Sequence, residues 1–333
     1  MDNRNNRANK NQTNQRERMI RRLKRQRQRQ LIRRALLCIF TVIIALVVFN
    51  LGKLIKSAVS PSDTKKTEAT KTEMELQQKA QDASKEEVQT VPKPGEIAIP
   101  APVAYLREDA IAVLSAREAE NKEYTAIVEN AAAYPDNLLV DLANNQEMLE
   151  FVQGYPQEAK SLDKIKLTAE EIASPCPLFQ QWDQRWGYQP YGEDNIAISG
   201  CGPTTLSMAI VGLTHNADAT PAQVAEFATA NGYYTEGYGS SWDLIIEGAG
   251  AYGLTTEELS RDEGLMKEAL DQGALIICSM DAGDFTTAGH FLVICGYGPD
   301  GFQINDSFCV YRSNQSWSFE QLHDQIGGMW TVR

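Results

Sequence analysis

The pattern of hydrophobic and polar positions changes several times along this chain and divides it into five predicted regions. Residues 35–52, ALLCIFTVIIALVVFNLG, are almost wholly apolar and carry no charge. In a helix these eighteen residues rise ~27 Å, close to the hydrocarbon thickness of a bilayer. The pattern predicts a transmembrane helix over 35–55, preceded by a basic tail over 1–34.

The next two regions have no long apolar run. Residues 56–100 are rich in Lys, Glu, Thr, Gln and Ser and end in a proline-rich stretch, which is typical of a stalk. Residues 101–174 show helical apolar spacing over 108–134 and, beyond Pro135, over two shorter stretches. They predict a small helical segment that either packs on the following domain or acts as a spacer.

Residues 175–333 have the composition of a globular domain. Apolar periodicity and capping residues predict helices and strands there. The expected helices are 203–213, 221–231, 241–251 and 263–272, and the expected strands are 274–280, 290–297 and 301–306. Between the last two strands, Gly298-Pro299-Asp300-Gly301 is typical of a hairpin turn. Helices followed by strands predict an α+β domain with an antiparallel sheet.

Charge predicts how the chain is oriented. The 333 residues carry a net charge of −12, yet residues 1–34 hold 13 Lys and Arg against two acids. This bias predicts a single-pass protein in the cell membrane, with a cytoplasmic N-terminus, the bilayer as a partner through 35–55, and an extracellular domain. A cleaved signal peptide is the alternative, disfavoured by the long basic tail. No nucleic-acid partner is expected, since the rest of the chain is strongly acidic and repels phosphates.

Six cysteines and three histidines limit the available chemistry. Without a CxxC or HExxH motif, neither a metal nor another cofactor is expected. Cys278 and Cys295 lie within apolar strand runs and are interpreted as core residues. Whether Cys176 and Cys309 form disulfides stays open, because an extracellular domain permits them and the sequence does not show pairing.

Cys201 differs from the other cysteines in its setting. It stands in ISGCGPTTLSMAIVGL, immediately before an apolar helix, between two glycines that leave the thiol unobstructed. A sulfur at this position feels the positive end of the helix dipole, which favours the thiolate. Its position alone indicates either a nucleophile or a tight packing turn.

His290 is the candidate base for this nucleophile. It opens the strand HFLVICGY, and Asp306 ends the following strand, so the hairpin returns Asp306 towards the imidazole. Counting from the turn leaves Asp306 short of direct opposition, so contact requires a bulge or a strong twist. The alternatives are a structural histidine and a turn-forming aspartate.

Three separated stretches carry a resemblance to a known family. In this order, the domain contains PLFQQWDQRWGYQPYG, ISGCGPTTLSMAI and AGHFLVICGYGPDGFQINDS. Over about 175–333 it resembles the papain-like cysteine peptidases of peptidase family C39, which includes the double-glycine leader peptidases of bacteriocin exporters. The resemblance implies a papain-like domain whose nucleophile helix packs on an antiparallel sheet. It implies Cys201 as nucleophile, His290 as general base and then acid, and Asp306 as the residue that orients the imidazole.

The resemblance also implies a glutamine upstream of the cysteine as the oxyanion donor. Gln181, in QWDQRW, matches that glutamine best, while Gln180 and Gln184 remain alternatives. The exporter-linked members cut leaders in the cytoplasm and are fused to an ATPase. This sequence has no GxxxxGK[ST] phosphate loop and is predicted to face outwards, so their substrate is not carried over.

Together these features predict a membrane-anchored, extracellular-facing cysteine peptidase that hydrolyses peptide or isopeptide bonds of a peptide or protein substrate. A second enzyme hypothesis keeps the same residues but lets an amine resolve the acyl-enzyme, which gives a transpeptidase. The contrasting hypothesis is a non-catalytic module of the same fold that binds peptide or cell-wall material.

Overall fold

A computed structural model describes residues 93–155 and 165–333 of the chain. The predicted basic tail, the predicted transmembrane helix and most of the predicted stalk lie outside these residues. Within the described ranges, no helix combines the length and the apolar character needed to cross a bilayer.

Short helices form the first described part, here called the accessory region (residues 107–154). They are α1 Arg107–Arg117, α2 Glu123–Glu129, α3 Asp136–Asn144 and α4 Leu149–Gly154, with 3-10 turns at Ala131–Ala133 and Gln146–Met148. The apolar spacing over 108–134 is thus divided between two helices and a turn. The Asn121 side chain accepts a hydrogen bond from the Glu123 N–H and starts α2 afresh. The fully buried side chains of this region include Leu114, Leu138 and Leu142.

The second described part, residues 165–333, mixes helices with strands. Its helices are α5 Ala169–Ala173, α6 Ile196–Ser199, α7 Cys201–Thr214, α8 Pro221–Ala230, α9 Asp243–Ile246, α10 Glu263–Asp271, α11 Val310–Ser313 and α12 Phe319–His323. Its strands are β1 Pro190–Tyr191, β2 Asp194–Asn195, β3 Tyr234–Thr235, β4 Gly239–Ser240, β5 Thr256–Glu258, β6 Leu275–Asp281, β7 Gly289–Gly298, β8 Gly301–Asp306, β9 Ser316–Trp317 and β10 Ile326–Val332. The predicted α+β class is confirmed.

The main sheet has the strand order β5-β10-β6-β7-β8-β9, and every neighbouring pair in it is antiparallel. The strands β6 and β7 are nearly continuous apolar runs because both faces of the sheet are covered. Ile277 and Val293 lie in one core with α7 and α8, whereas Ile276 and Ile294 lie in a second core with α10 and α12.

The accessory region packs against residues 165–333, which answers the alternative between a packed segment and a spacer. Phe151 stacks on Tyr188 with ring centroids 4.2 Å apart. The Asn145 amide and the Trp182 indole both donate hydrogen bonds to the Phe308 carbonyl, at 2.5 and 2.8 Å. These contacts lie close to the end of β8, where Asp306 is found.

Candidate active site

Cys201 is the first residue of α7, and two local features put it there. The Asn195 side chain caps α6 by accepting from the Ile198 N–H, and Gly200 then separates α6 from α7. A Cβ on Gly200 would lie 2.4 Å from the Ile196 carbonyl oxygen, so this turn requires glycine. The thiol is free and half-buried at the N-terminus of a 14-residue helix, where the helix dipole favours an anion.

His290 lies near the start of β7, beside α7. The Thr205 hydroxyl, one turn after Cys201, donates to the Phe291 carbonyl at 3.1 Å and fixes the helix against the strand. His290 is 7% exposed, and its Nε2 lies 2.7 Å from Asp306 Oδ1. The structure therefore brings the predicted histidine and aspartate into direct contact.

A β-bulge makes this contact possible. Next to the turn, Gly296 pairs with Gln303, but Ile294 pairs with Ile304, so Cys295 is an extra residue in β7. Side chains alternate between the faces of a strand, so one inserted residue reverses the face on which later partners lie. Beyond the bulge Asp306 pairs with Leu292, two residues from His290 and on the same face. Of the two possibilities expected from the sequence, a bulge or a strong twist, the structure has a bulge at Cys295.

Asp306 is fully buried, and three hydrogen-bond donors surround its carboxylate. Its Oδ1 accepts from His290 and from the Phe308 N–H at 2.8 Å, and its Oδ2 lies 3.3 Å from Arg312 Nη1. Burial alone would raise the pKa of the Asp306 carboxyl, but these neighbours outweigh burial and hold it below its usual value. Asp306 is accordingly a carboxylate at neutral pH.

The same contact controls the charge of His290. Burial lowers its pKa, yet the Asp306 carboxylate and hydrogen bonds to Asp306 and Cys201 raise it to about 10. The imidazole is then protonated at neutral pH, beside the Cys201 sulfur.

Gln181 is buried between the segments that carry Cys201 and Asp306. Its Nε2 donates to the Ala197 carbonyl at 2.7 Å, and its second hydrogen has only a long contact, 3.5 Å, with the Ile198 carbonyl. Its Oε1 accepts from the Ser307 hydroxyl at 3.1 Å, and its backbone N–H donates to the Ser307 carbonyl at 2.7 Å. Gln181 therefore bridges the two halves of the site.

The two alternative glutamines occupy different surroundings. Gln184 donates from its side chain to Glu150 of the accessory region at 3.1 Å, on the exposed surface. Gln180 Nε2 is buried and has no hydrogen-bond partner among the described residues. Gln181 as the oxyanion donor therefore stays a prediction, with Gln180 as its alternative.

A hydroxyl pair that the sequence did not indicate lies beside the start of α7. The Tyr191 hydroxyl lies 2.7 Å from Ser240 Oγ, and a Cβ on Gly202 would lie 2.3 Å from that same oxygen. Burial raises the pKa of Tyr191, and the charge of Cys201 adds to this effect. The glycine that follows Cys201 was the one sequence signal of this close approach.

The accessory region contributes a carboxyl that the sequence also did not indicate. Burial raises the pKa of Asp141, in α3, to about 8, and the Asp194 carboxylate adds to this effect while His290 opposes it. This carboxyl lies close enough to His290 to feel its charge, although it is far from His290 in sequence. The accessory region therefore forms part of the surroundings of the site.

The cysteines outside the site follow the expectations only in part. Cys278 is buried, as predicted for a core residue, whereas the interpretation of Cys295 as a simple core residue is wrong. Cys295 forms a disulfide with Cys176, and Cys309 is buried and free. Within the described ranges, no group of three or more His, Cys, Asp or Glu side chains is placed to hold a metal ion.

Comparison with known proteins identifies the class of this domain. Residues 174–329 match the Peptidase_C39 like family. Among solved structures, the chain is similar to a crystal structure of a proposed C39-like peptidase from Bacillus anthracis, with 13% identity and a TM-score of 0.30 over 50% of this chain and 98% of that chain. None of the curated proteins compared with it matches. The family match, over residues 174–329, confirms the resemblance and supports a cysteine peptidase.

Proposed function

We propose that this chain is a membrane-anchored, outward-facing peptidase that hydrolyses peptide or isopeptide bonds by a Cys-His-Asp mechanism. One observation carries the mechanism: His290, 2.7 Å from the buried Asp306 carboxylate, faces the thiol at the start of α7. Each of the three residues has the environment that its role requires. Cys201 is half-buried at a helix N-terminus, the pKa of His290 is raised, and the pKa of Asp306 is lowered.

The first half of the reaction forms an acyl-enzyme. The Cys201 thiolate attacks the scissile carbonyl carbon, and the carbonyl electron pair moves onto oxygen. The Cys201 backbone N–H and the Gln181 Nε2–H that makes only the long contact with the Ile198 carbonyl stabilise this oxyanion. His290 gives its proton to the leaving amine, the C–N bond breaks, and a thioester remains.

The second half releases the acid product. Neutral His290 takes a proton from water, and the resulting hydroxide attacks the thioester. The C–S bond then breaks and restores the thiolate beside a protonated imidazole. Asp306 keeps Nε2–H as its donor throughout, so that the other ring nitrogen carries the proton in both steps.

Selective alkylation tests the nucleophile. We expect iodoacetamide to label Cys201 near neutral pH faster than the two other free thiols of the described residues, Cys278 and Cys309, as measured by peptide mass spectrometry. A peptide library should be cleaved by the full chain and left intact by Cys201→Ala. Equal labelling of all thiols, without cleavage, would instead favour a binding module.

The fate of the acyl-enzyme separates hydrolysis from acyl transfer. We expect free carboxylate products when peptides are cleaved in the presence of an added primary amine. Mass spectrometry that finds mainly the amine adduct would assign the chain as a transpeptidase and would leave the roles of Cys201 and His290 unchanged.

Two observations support the outward orientation. The 13 Lys and Arg before residue 35 favour a cytoplasmic N-terminus. The Cys176–Cys295 disulfide suits an oxidising compartment, because cytosolic thiols are kept reduced. Protease added to intact cells should therefore digest the peptidase domain, and a domain that is digested only after lysis would contradict this topology.

A further inference from the structure

The Asp306 carboxylate contacts His290 through one oxygen and a buried guanidinium through the other. Arg312, in α11, is 2% exposed, and its Nη1 lies 3.3 Å from Asp306 Oδ2 and 3.3 Å from the Phe285 carbonyl. The two oxygens of Asp306 are thus divided, one for His290 and one for Arg312. A guanidinium in this place fixes the rotation of the carboxylate as well as its charge.

Arg312 is in turn held by the segment that ends the predicted stalk. Its Nη2 donates to the Pro100 carbonyl at 3.3 Å. We call residues 95–103 the strap. The preceding residue in the strap, Ile99, is 6% exposed, so the strap is seated on the domain at the point where it meets Arg312.

Both ends of the strap are tied to the accessory region. The Gly95 N–H donates to Glu147 Oε1 at 2.7 Å. At the other end, Val103 exchanges two hydrogen bonds with the Asn144 side chain, at 2.7 and 3.0 Å. The strap is therefore fixed at both ends and at the guanidinium between them.

Glu147 connects the strap with the helix that carries Arg312. Besides Gly95, its carboxylate accepts from the N–H groups of Val310 and Tyr311, at 2.8 and 3.0 Å. One accessory side chain therefore holds both the strap and the start of α11. A charged acceptor with three backbone donors is a strong and well-oriented attachment.

We propose that Arg312 is a positioning residue for Asp306, and that the strap holds Arg312 in place, so that activation of Cys201 depends on the docked strap. This inference rests on the proposed Cys-His-Asp mechanism. The chain of contacts runs from Pro100 through Arg312 and Asp306 to His290. Along the chain, the strap is the part of the described residues that comes first after the predicted transmembrane helix and stalk.

The first test compares Arg312→Lys with Arg261→Lys in the full chain. Both retain the charge, but Arg261 donates to the Ile326 carbonyl of β10, a strand that β6 separates from β7, rather than to Asp306. We expect Arg312→Lys to slow the alkylation of Cys201 by iodoacetamide at pH 7 about tenfold, the scale of one charge-assisted hydrogen bond. Arg261→Lys should leave the rate unchanged. Unaltered circular dichroism and melting temperature serve as the folding control.

A double-variant comparison distinguishes positioning from a general structural role. In an Asp306→Asn background the carboxylate that Arg312 holds is absent, so Arg312→Lys should change the alkylation rate by less than about twofold. A tenfold loss that persists in this background would overturn the proposal.

The second test leaves Arg312 intact and loosens the strap. The variant combines Gly95→Ala with Asn144→Ala. At Gly95, where φ is +90°, the new Cβ would lie 2.5 Å from Asn314 Nδ2 and would strain that end of the strap. Asn144→Ala removes the hydrogen bonds that hold the other end. The matched control combines Gly253→Ala, at a φ of +79° with no atom within 4 Å, with Asn231→Ala at the exposed end of α8.

We expect the strap variant to slow Cys201 alkylation about as much as Arg312→Lys, and the control variant to leave it unchanged. Equal rates in both would refute the role of the strap while Cys201 remains selectively labelled. If Cys201 were not labelled selectively even in the unaltered chain, the proposed function would fail instead, which keeps the two outcomes apart.

Discussion

The accessory region and the peptidase domain differ in how their sequences determine their structures. In the accessory region, Leu114, Leu138 and Leu142 form a core from helices that are close in sequence. In the peptidase domain, Cys201, His290 and Asp306 come from a helix and two strands far apart in the chain. Local periodicity is sufficient for the first, whereas the second needs a sheet with a defined register.

The two regions nevertheless contact each other close to the candidate site. Asn145, Glu147 and Phe151 of the accessory region contact residues around the end of β8 or the segment that follows Gln181. We therefore expect the peptidase domain to supply the reacting groups and the accessory region to keep them in position. The following predictions test this division.

The largest effect is expected within the peptidase domain. His290→Ala should abolish peptide cleavage as fully as Cys201→Ala does, because thiolate formation and protonation of the leaving amine both lose their partner. The matched control is His323→Ala, at an exposed histidine that pairs with Asp324 at 3.0 Å. The measurement is the cleavage rate of each variant on the same peptide. Full activity of His290→Ala would remove the Cys-His assignment.

A cavity in the core of the accessory region should destabilise both regions. Phe151→Ala removes a ring that is 1% exposed and should lower the free energy of unfolding by about 3–5 kcal/mol. Since Phe151 stacks on Tyr188, hydrogen exchange should accelerate together in α3 and in the segment 183–189 around Tyr188. Leu106→Ala, at a 61% exposed position, is the control that should change little. Faster exchange in α3 alone would mean that the regions unfold separately.

The next effect concerns only the chemical step. Gln181→Ala removes one oxyanion donor and should lower kcat by roughly 10²–10³, or about 2.7–4 kcal/mol, with little change in KM. Alkylation of Cys201 needs no oxyanion, so its rate should be retained. A parallel loss of alkylation would show that Gln181 acts as a structural bridge between Ala197 and Ser307.

The other two glutamines are the controls for that experiment. Gln184→Ala should leave kcat unchanged, because its side chain contacts Glu150 on the surface. Gln180→Ala tests the remaining alternative. If it lost kcat while Gln181→Ala did not, the oxyanion donor would be Gln180, and the rest of the mechanism would stand.

Much of the peptidase domain could be predicted from its sequence, because its signals are local. The predicted strands 274–280, 290–297 and 301–306 correspond to β6, β7 and β8 within a residue or two. In contrast, β10 lies between β5 and β6 but was not predicted, because two glycines after Ile326 leave only a short run of strand-favouring residues. Pairing with neighbours on both sides extends this short run into a seven-residue strand.

The site could be predicted as a set of residues but not as a geometry. The motifs selected Cys201, His290 and Asp306, and the count from the hairpin turn indicated that either a bulge or a strong twist was needed. Nothing local showed that Cys295 would form it, or that Arg312 would lie behind Asp306, since both depend on contacts between distant segments. The attachment of Glu147 to α11 is of the same kind.

The smallest effect on activity is expected for Asp306→Asn, whose amide oxygen can still accept the hydrogen bond from His290 Nε2. At pH 7 the variant should keep substantial activity, whereas Asp306→Ala should lose more. The charge is what raises the pKa of His290 to about 10, so without it that pKa should fall. Because protonated His290 is the acid that releases the amine, activity is lost as the pH rises through its pKa. The alkaline limb of kcat/KM should therefore move from near pH 10 to lower pH in Asp306→Asn.

The raised pKa of His290 also makes the stability of the folded state depend on pH. A histidine whose pKa is raised in the folded state stabilises that state fully below its unfolded value of about 6.5 and loses this contribution as the pH rises towards the folded value. Thermal melts between pH 6 and 10 should show this loss in the unaltered chain, and at lower pH in Asp306→Asn. Asp324→Asn, beside the exposed His323, is the matched control and should follow the unaltered chain. Identical pH profiles for Asp306→Asn and the unaltered chain would mean that Asp306 does not set the charge of His290.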